Sequence, residues 1–348
     1  MNNCEVKISS CKAGDILAKS VVDRKGLILA AKNTILNDFI LSKLKVMEIE
    51  TLWILNAISS DESLLMGSKY EKARESYQES VLSVKLILND LSAGKPLDFN
   101  VAAHISETLY QNIENSESFT RYLMELKNYD DYTYTHCVNV AFFAMLIAKW
   151  VRLPKHKILE IIQAGALHDI GKMKIPGDIL NKCGKLTSEE LQIMKAHTTL
   201  GYEMLKKSTC IEDRIKDAVL MHHERLDGSG YPSGTSADNL GEYAKIIAVA
   251  DVYDAMTSDR PYRKRMSPFE AFHEFIKMGA SAFDFSIVKA FLLNFSSYLV
   301  GTKVRMNNGD IGEIVYVPPH DVTKPVIRIN STYLEVCEKG SLRIENVI

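Results

Sequence analysis

The sequence predicts a mainly α-helical protein with a small β-rich module at each end. Three observations carry that prediction. Residues from about 129 to 297 repeat apolar side chains at steps of three and four, the helical period. Residues 1 to about 58 instead show short alternating runs divided by turn residues. The alternating period returns after Tyr298.

Composition sets the outer limits. The chain has 348 residues, 46% hydrophobic and 25% charged, which suits a globular protein of two or three domains. Lys and Arg number 42 against 44 Asp and Glu, a formal charge of −2. That balance argues against a protein that coats duplex nucleic acid, which needs many phosphate neutralisers. It leaves room for a small anion in one basic pocket. Cys4, Cys11, Cys137, Cys183, Cys210 and Cys337 are scattered, with no Cys-x-x-Cys pair. They read as reduced thiols in a cytosolic setting. The N-terminus lacks an apolar signal stretch, and the run Val138 to Trp150 is broken by Asn139 and Lys149. The expectation is a cytoplasmic protein with no membrane span.

The elements follow in order. Val6-Lys7-Ile8 alternates, Lys12 to Asp15 is a turn, and Gly26 to Leu29 follows a second turn at Asp23-Arg24-Lys25. Asn37 to Lys45 spaces Phe39, Ile40, Leu41 and Leu44 as a helix does, and Thr51 to Leu55 reads as a strand. From about 68 to 91 a polar helix places Tyr77, Val81, Val84, Leu88 and Leu91 on a heptad seam. The seam leaves two readings open, packing within the chain and pairing with a second copy. Ser92 to Pro96 ends this helix, and further helices run from about Phe99 to Ile113 and Phe119 to Lys127. Near the C-terminus, Val304 to Met306, Gly312 to Val317 and Val326 to Ile329 are strands, and Asn307 to Asp310 is a hairpin turn. The divisions are therefore 1–60, a small β-rich domain; 61–128, linking helices; 129–297, the helical block; and 298–348, a β-module.

The chemistry lies in the helical block. His136, Val140, Phe143 and Ile147 recur at helical spacing, so His136 extends an inward stripe. Ile215, Ala218, Val219 and His222 do the same. His197 lies among Ile193, Met194, Leu200, Gly201 and Met204, on a helix opened by a capping-box pattern at Thr187 to Glu190. One such histidine is more often hydrogen-bonded in the core than a ligand. Three converging imidazoles would each carry a desolvation cost that a shared metal removes. Asp169 follows His168 inside Gly165-Ala166-Leu167-His168-Asp169-Ile170-Gly171-Lys172, and Asp251 ends the apolar run from Ile246. Mixed His and Asp ligands without thiolates suit Fe, Mn or similar ions. A bridging Asp among imidazoles suits two ions about 3.5–4 Å apart, the arrangement that hydrolyses phosphoesters. Lys172, four residues after His168, is the first candidate cation for a phosphoryl oxygen; Arg260 and Arg263 are next, because Arg grips phosphate bidentately.

These residues carry a resemblance. His168-Asp169 resembles the doublet of HD-domain phosphohydrolases. His222-His223-Glu224-Arg225-Leu226-Asp227-Gly228-Ser229-Gly230-Tyr231-Pro232 is similar to the HHExxDGxGYP signature of the HD-GYP family, and Asp251 to Arg263 to its third block. The resemblance spans about 129–297, with separations of 32 (136 to 168), 29 (168 to 197), 25 (197 to 222) and 28 (223 to 251). It implies an all-helical HD-type catalytic domain. It also implies metal ligands at His136, His168, Asp169, His197, His222, His223 and Asp251, with Asp169 bridging two ions. His136, His168 and Asp251 would hold one, and His197, His222 and His223 the other. The expected metal is Fe first and Mn second. The implied activity is hydrolysis of cyclic di-GMP by attack of a metal-bridging hydroxide on phosphorus, with the end product left open between linear pGpG and GMP. Asp169 and Lys172 are then the catalytic candidates. Lys172, Arg260, Arg263, Gly230, Tyr231 and Pro232 are the substrate-binding ones, and the Gly228 to Pro232 segment is also a candidate contact for other signalling proteins. Some members carry a Glu four residues before the first ligand histidine; Tyr132 stands there, which disfavours a third ion. Two other readings compete: a hydrolase of another nucleotide or cyclic dinucleotide, and a module that senses the dinucleotide without turnover. The two ends, around Ala13 to Leu29 and Gly301 to Gly312, resemble modules found beside some members.

Overall fold

The computed structural model describes residues 3–22, 28–30, 34–55, 62–111, 119–120, 122–123, 132–259, 265–337 and 340–348. The turn read at Asp23 to Lys25 and the candidate contacts Arg260 and Arg263 lie outside them. The chain divides into two compact units. One comprises residues 1–66, 266–274 and 292–348, the other 67–265 and 275–291.

The first unit is β-rich. Asn3–Lys7, Thr51–Leu55 and Ile16–Leu17 form an antiparallel sheet with Thr51–Leu55 in the middle. Asp38–Val46 is a helix capped by Asn37, whose side chain accepts from the Ile40 N–H at 2.9 Å. The C-terminal strands form a second antiparallel sheet, ordered Ile344–Val347, Lys303–Met306, Ile311–Tyr316, Val326–Ile329, Thr332–Glu335. The N- and C-terminal segments, read as separate modules along the sequence, share one core. Leu17, Leu36, Ile40, Leu44 and Leu52 are buried with Val315, Tyr316 and Val326. The Phe39 ring lies 5.9 Å from that of Tyr316 and 5.0 Å from that of Tyr333. The Asn37 amide also donates to the Val315 carbonyl. Periodicity reports how each segment folds, and says nothing of which segment covers which.

The second unit is helical. Its centre is Tyr132–Trp150, buried on nearly every side from Thr135 to Ala148. A helix apolar all round belongs in a core. Lys155–Leu167 and Glu242–Thr257 pack on it. Gly165 allows the first of these contacts: a Cβ there would stand 2.6 Å from the Ala141 Cα. The long helix Glu62–Ser92 turns its heptad seam inward. Tyr77, Val84, Leu88 and Leu91 are buried, and the Tyr77 ring meets those of Phe119 and Tyr122. Four of the five seam residues thus face the chain's own interior, and Val81 is partly buried. Among the described residues no helix is long and apolar enough to cross a membrane.

Candidate metal centre

Five separate helical segments deliver the histidines and aspartates. His136 comes from Tyr132–Trp150, and Asp251 from Glu242–Thr257. His168 closes Lys155–Leu167, and Asp169 leads into a 3-10 turn at Ile170–Lys174. His222 closes Asp213–Met221, with His223 next. For His197 the local reading needs correction. The capping box forms, with Glu190 N–H donating to Thr187 Oγ1 at 3.3 Å and Thr187 N–H donating to Glu190 at 2.7 Å. That helix ends at Lys195, however, and His197 opens a second one, His197–Leu205. Ile193 is exposed, while Gly201 and Leu205 are buried. Gly171 packs against the turn that His197 begins: a Cβ there would fall 1.9 Å from the His197 carbonyl oxygen.

The side chains converge. Ligand atoms of His136, His168 and Asp251 lie within 4.8 Å of one another, as do those of His197, His222 and His223. Asp169 stands between the two sets. Its Oδ2 is 3.2 Å from His168 Nε2 and 3.5 Å from His136 Nε2, and its Oδ1 is 3.4 Å from His197 Nε2. His136 Nε2 also lies 3.2 Å from Asp251.

Hydrogen bonds fix which nitrogen each ring offers. Nδ1 of His168 lies 2.8 Å from the Gly165 carbonyl, Nδ1 of His197 lies 2.7 Å from that of Met194, and Nδ1 of His222 lies 2.9 Å from that of Val219. Carbonyls only accept, so each Nδ1 carries a proton and each ring turns its Nε2 to the centre. Burial holds the His222 pKa well below its ordinary value and lowers that of His197 to about 4, so both rings are neutral. Their Nε2 atoms nevertheless face each other at 3.4 Å. Two lone pairs at that distance repel unless a cation lies between them. His168 Nε2 and Asp169 Oδ1 are both buried without a hydrogen bond, each at a cost of about 1–3 kcal/mol. This donor set fits divalent cations: oriented imidazoles, carboxylates and orphaned acceptors in one buried pocket.

Charge is held there even without metal. Burial opposes the Asp169 carboxylate, but His168 and Lys172 outweigh it and keep the group well below the usual range. Asp251 is depressed likewise, with the hydrogen bond and charge of His136 overcoming burial. Lys172 Nζ reaches Asp169 Oδ2 at 2.5 Å while its side chain keeps 20% exposure, so it borders both the pocket and solvent. Burial lowers the His223 pKa to about 3, and Tyr231 stacks on that ring at 4.7 Å. The sequence-predicted Gly230 lies against the His223–Arg225 backbone, where a Cβ would fall 2.4 Å from Glu224 Cα. Pro232 is exposed beside Tyr231.

Sequence reasoning missed several participants. Asp254 Oδ2 accepts from His136 Nδ1 at 2.6 Å and so orients that ring. Its spacing of three after Asp251 on one helix was a usable signal. Glu224, fully buried, accepts from Ser233 N–H at 2.7 Å and Thr235 N–H at 3.0 Å, pinning the segment after the histidine pair. Cys137 lies beside His168 and Asp169, but burial raises its thiol pKa well above the ordinary value and keeps it protonated. Tyr132 lays its ring parallel to His136, 5.6 Å away, and brings no carboxylate to the centre.

Oriented imidazoles around a His-Asp doublet, carried on a helical bundle, define the class of HD-domain proteins. The HD domain family matches residues 118–287. A cyclic di-GMP phosphodiesterase of Pseudomonas aeruginosa is 34% identical over 247 residues, 71% of this chain and 59% of the relative. One from Thermotoga maritima is 37% identical over 194 residues, 54% of this chain and 53% of the relative. The chain thus spans less than two thirds of either relative. The fold is similar to that of an HDG"Y"P protein from Bdellovibrio bacteriovorus, at TM-score 0.53 and 14% identity, covering 83% of this chain and 98% of that one. The chain thus carries an HD domain over residues 118–287, and its His222 to Pro232 segment is similar to the HD-GYP signature.

Proposed function

We propose that this protein hydrolyses cyclic di-GMP to linear pGpG, using two divalent ions held by His136, His168, Asp169, His197, His222, His223 and Asp251. The observation that carries the reading is the convergence of oriented Nε2 atoms around Asp169. The relatives' names supply the substrate class. Fe is the first choice and Mn the second, because the set offers nitrogen and oxygen without thiolate. Tyr132, where a further acid would stand, favours two ions over three.

Bound divalent ions would acidify water and offset charge growing on the phosphoryl oxygens. The chain's own residues do the rest. Asp169 presents one oxygen to each ligand set, as a bridging carboxylate must. Lys172, partly solvent-facing, can turn its ammonium to a phosphoryl oxygen. Gly230, Tyr231 and Pro232 form the substrate-side wall, with Tyr231 fixed against His223. Arg260 and Arg263 are assigned phosphate contacts from the sequence.

The test is turnover of cyclic di-GMP by anaerobically prepared protein with Fe(II) or Mn(II), beside Asp169→Ala. The expected result is pGpG from the wild type and none from the variant. Equal rates in both would remove the site assignment. Faster turnover of a different cyclic dinucleotide would keep the site and replace the substrate.

A further inference from the structure

The residue that ties the long helix to the metal centre is Tyr77. It belongs to Glu62–Ser92 and lies outside the stretch 118–287 that matches the HD domain. Its side chain is fully buried, with its ring between those of Phe119 and Tyr122. Its hydroxyl lies 3.0 Å from Asn139 Oδ1. Asn139 Nδ2 donates to Asp254 Oδ1 at 2.8 Å, and Ser258 donates to the same oxygen at 3.0 Å. Asp254 Oδ2 takes the proton-bearing Nδ1 of His136 at 2.6 Å.

The polarity of this chain is forced. Asp254 Oδ1 accepts from both Asn139 and Ser258, so Asn139 turns its NH2 group toward Asp254. That leaves its carbonyl oxygen for the Tyr77 hydroxyl to donate to. An amide turned the other way would face oxygen with oxygen at Asp254. The Tyr77 hydroxyl therefore helps hold Asn139 in the one orientation that seats Asp254 under His136. Outer partners of ligand histidines set ring orientation and ligand basicity.

We infer that Tyr77 is a positioning residue for the metal centre, acting through Asn139 and Asp254 on His136. The inference rests on the metal-binding role proposed above. It makes the competence of the HD segment depend on a helix that precedes that segment in the chain.

The test is Mn(II) titration of the metal-free, full-length protein by calorimetry. Tyr77→Phe keeps the ring and removes only the hydroxyl. It is expected to weaken Mn(II) binding about three- to tenfold, the range for loss of one outer hydrogen bond. Asn139→Ala is expected to weaken it at least as much. The double variant is expected to match Asn139→Ala alone, because the hydroxyl then has nothing to act through. Asn139→Asp, which retains an acceptor for Tyr77 and loses the donor to Asp254, reports on the relay without touching the aromatic cluster. It is expected to lose affinity as well. Wild-type affinity in Tyr77→Phe or in Asn139→Asp would overturn the inference. So would multiplicative losses in the double variant, which mark independent packing effects. Failure of the wild type to bind Mn(II) would instead sink the metal-binding reading on which it stands.

Discussion

Adding one methyl group at Gly171 is expected to displace the helix that begins at His197. The new Cβ would sit 1.9 Å from the His197 carbonyl oxygen and 2.6 Å from the Gly201 nitrogen. Carbon–oxygen contacts settle near 3.3 Å, so the carbonyl must retreat by about 1.4 Å. The obstacle is backbone, and no rotamer change relieves it. Overpacking costs about 1–3 kcal/mol, and a backbone clash belongs at the upper end, about 3 kcal/mol. With a urea slope of about 2 kcal/mol/M, the midpoint of the helical unit falls by about 1.5 M. His197 moves with its carbonyl, and a misplacement near 1 Å costs about a hundredfold in turnover. The assay pairs urea denaturation with Mn(II) titration. Gly177→Ala is the control: its nearest neighbour would be the Asn181 side chain at 3.9 Å, so it is expected to stay within about 0.5 kcal/mol of wild type. If Gly171→Ala matched the wild type in both midpoint and Mn(II) affinity, the close approach that seats His197 would be refuted.

Metal affinity is expected to rise with pH. In the metal-free protein burial pulls the His136 pKa down, but hydrogen bonds to Asp251 and Asp254 outweigh it and lift the value to about 9. A cation must displace that proton, so Mn(II) binding tightens up to about tenfold per unit as pH rises toward 9; a flat profile would contradict this. The same raised pKa stabilises the metal-free fold in full below about 6.5, and that contribution is lost as pH rises through about 9. Glu224→Ala strands the amides of Ser233 and Thr235, and hydrogen exchange there is expected to accelerate about thirtyfold, near 2 kcal/mol; unchanged protection would show the loop is held otherwise. Asn37→Ala removes both a helix cap and the bond to the Val315 carbonyl, for an expected loss of about 1–3 kcal/mol in the β-rich unit by denaturation; a loss under about 0.5 kcal/mol would deny that one core joins the two ends of the chain.

Much of the fold was legible because it is local. The strand Thr51–Leu55 and the helix beginning after Asn37 follow from spacing and a capping side chain. Strands Thr332–Glu335 and Ile344–Val347 were not read. The first is exposed along its whole length, and the second buries only Ile344 clearly, so neither carries a strong alternating signal. The break at Ala196 was hidden because Ile193, Met194, Leu200 and Met204 on either side of it share one apolar rhythm, which does not register a change of helix. Asp254 escaped because a ring's second nitrogen leaves no mark on the sequence pattern.

The sequence by itself determined which side chains could do chemistry and which local elements carry them. Helical period depends on neighbours three and four apart, and long motifs persist as strings whatever they face. Only the tertiary structure decided which nitrogen each histidine offers, that Asp169 divides its oxygens between two sets, and that Tyr77 touches the same network. It also decided that the two ends of the chain bury one another. Those facts depend on distances between residues remote along the chain, and closing such distances is what folding adds.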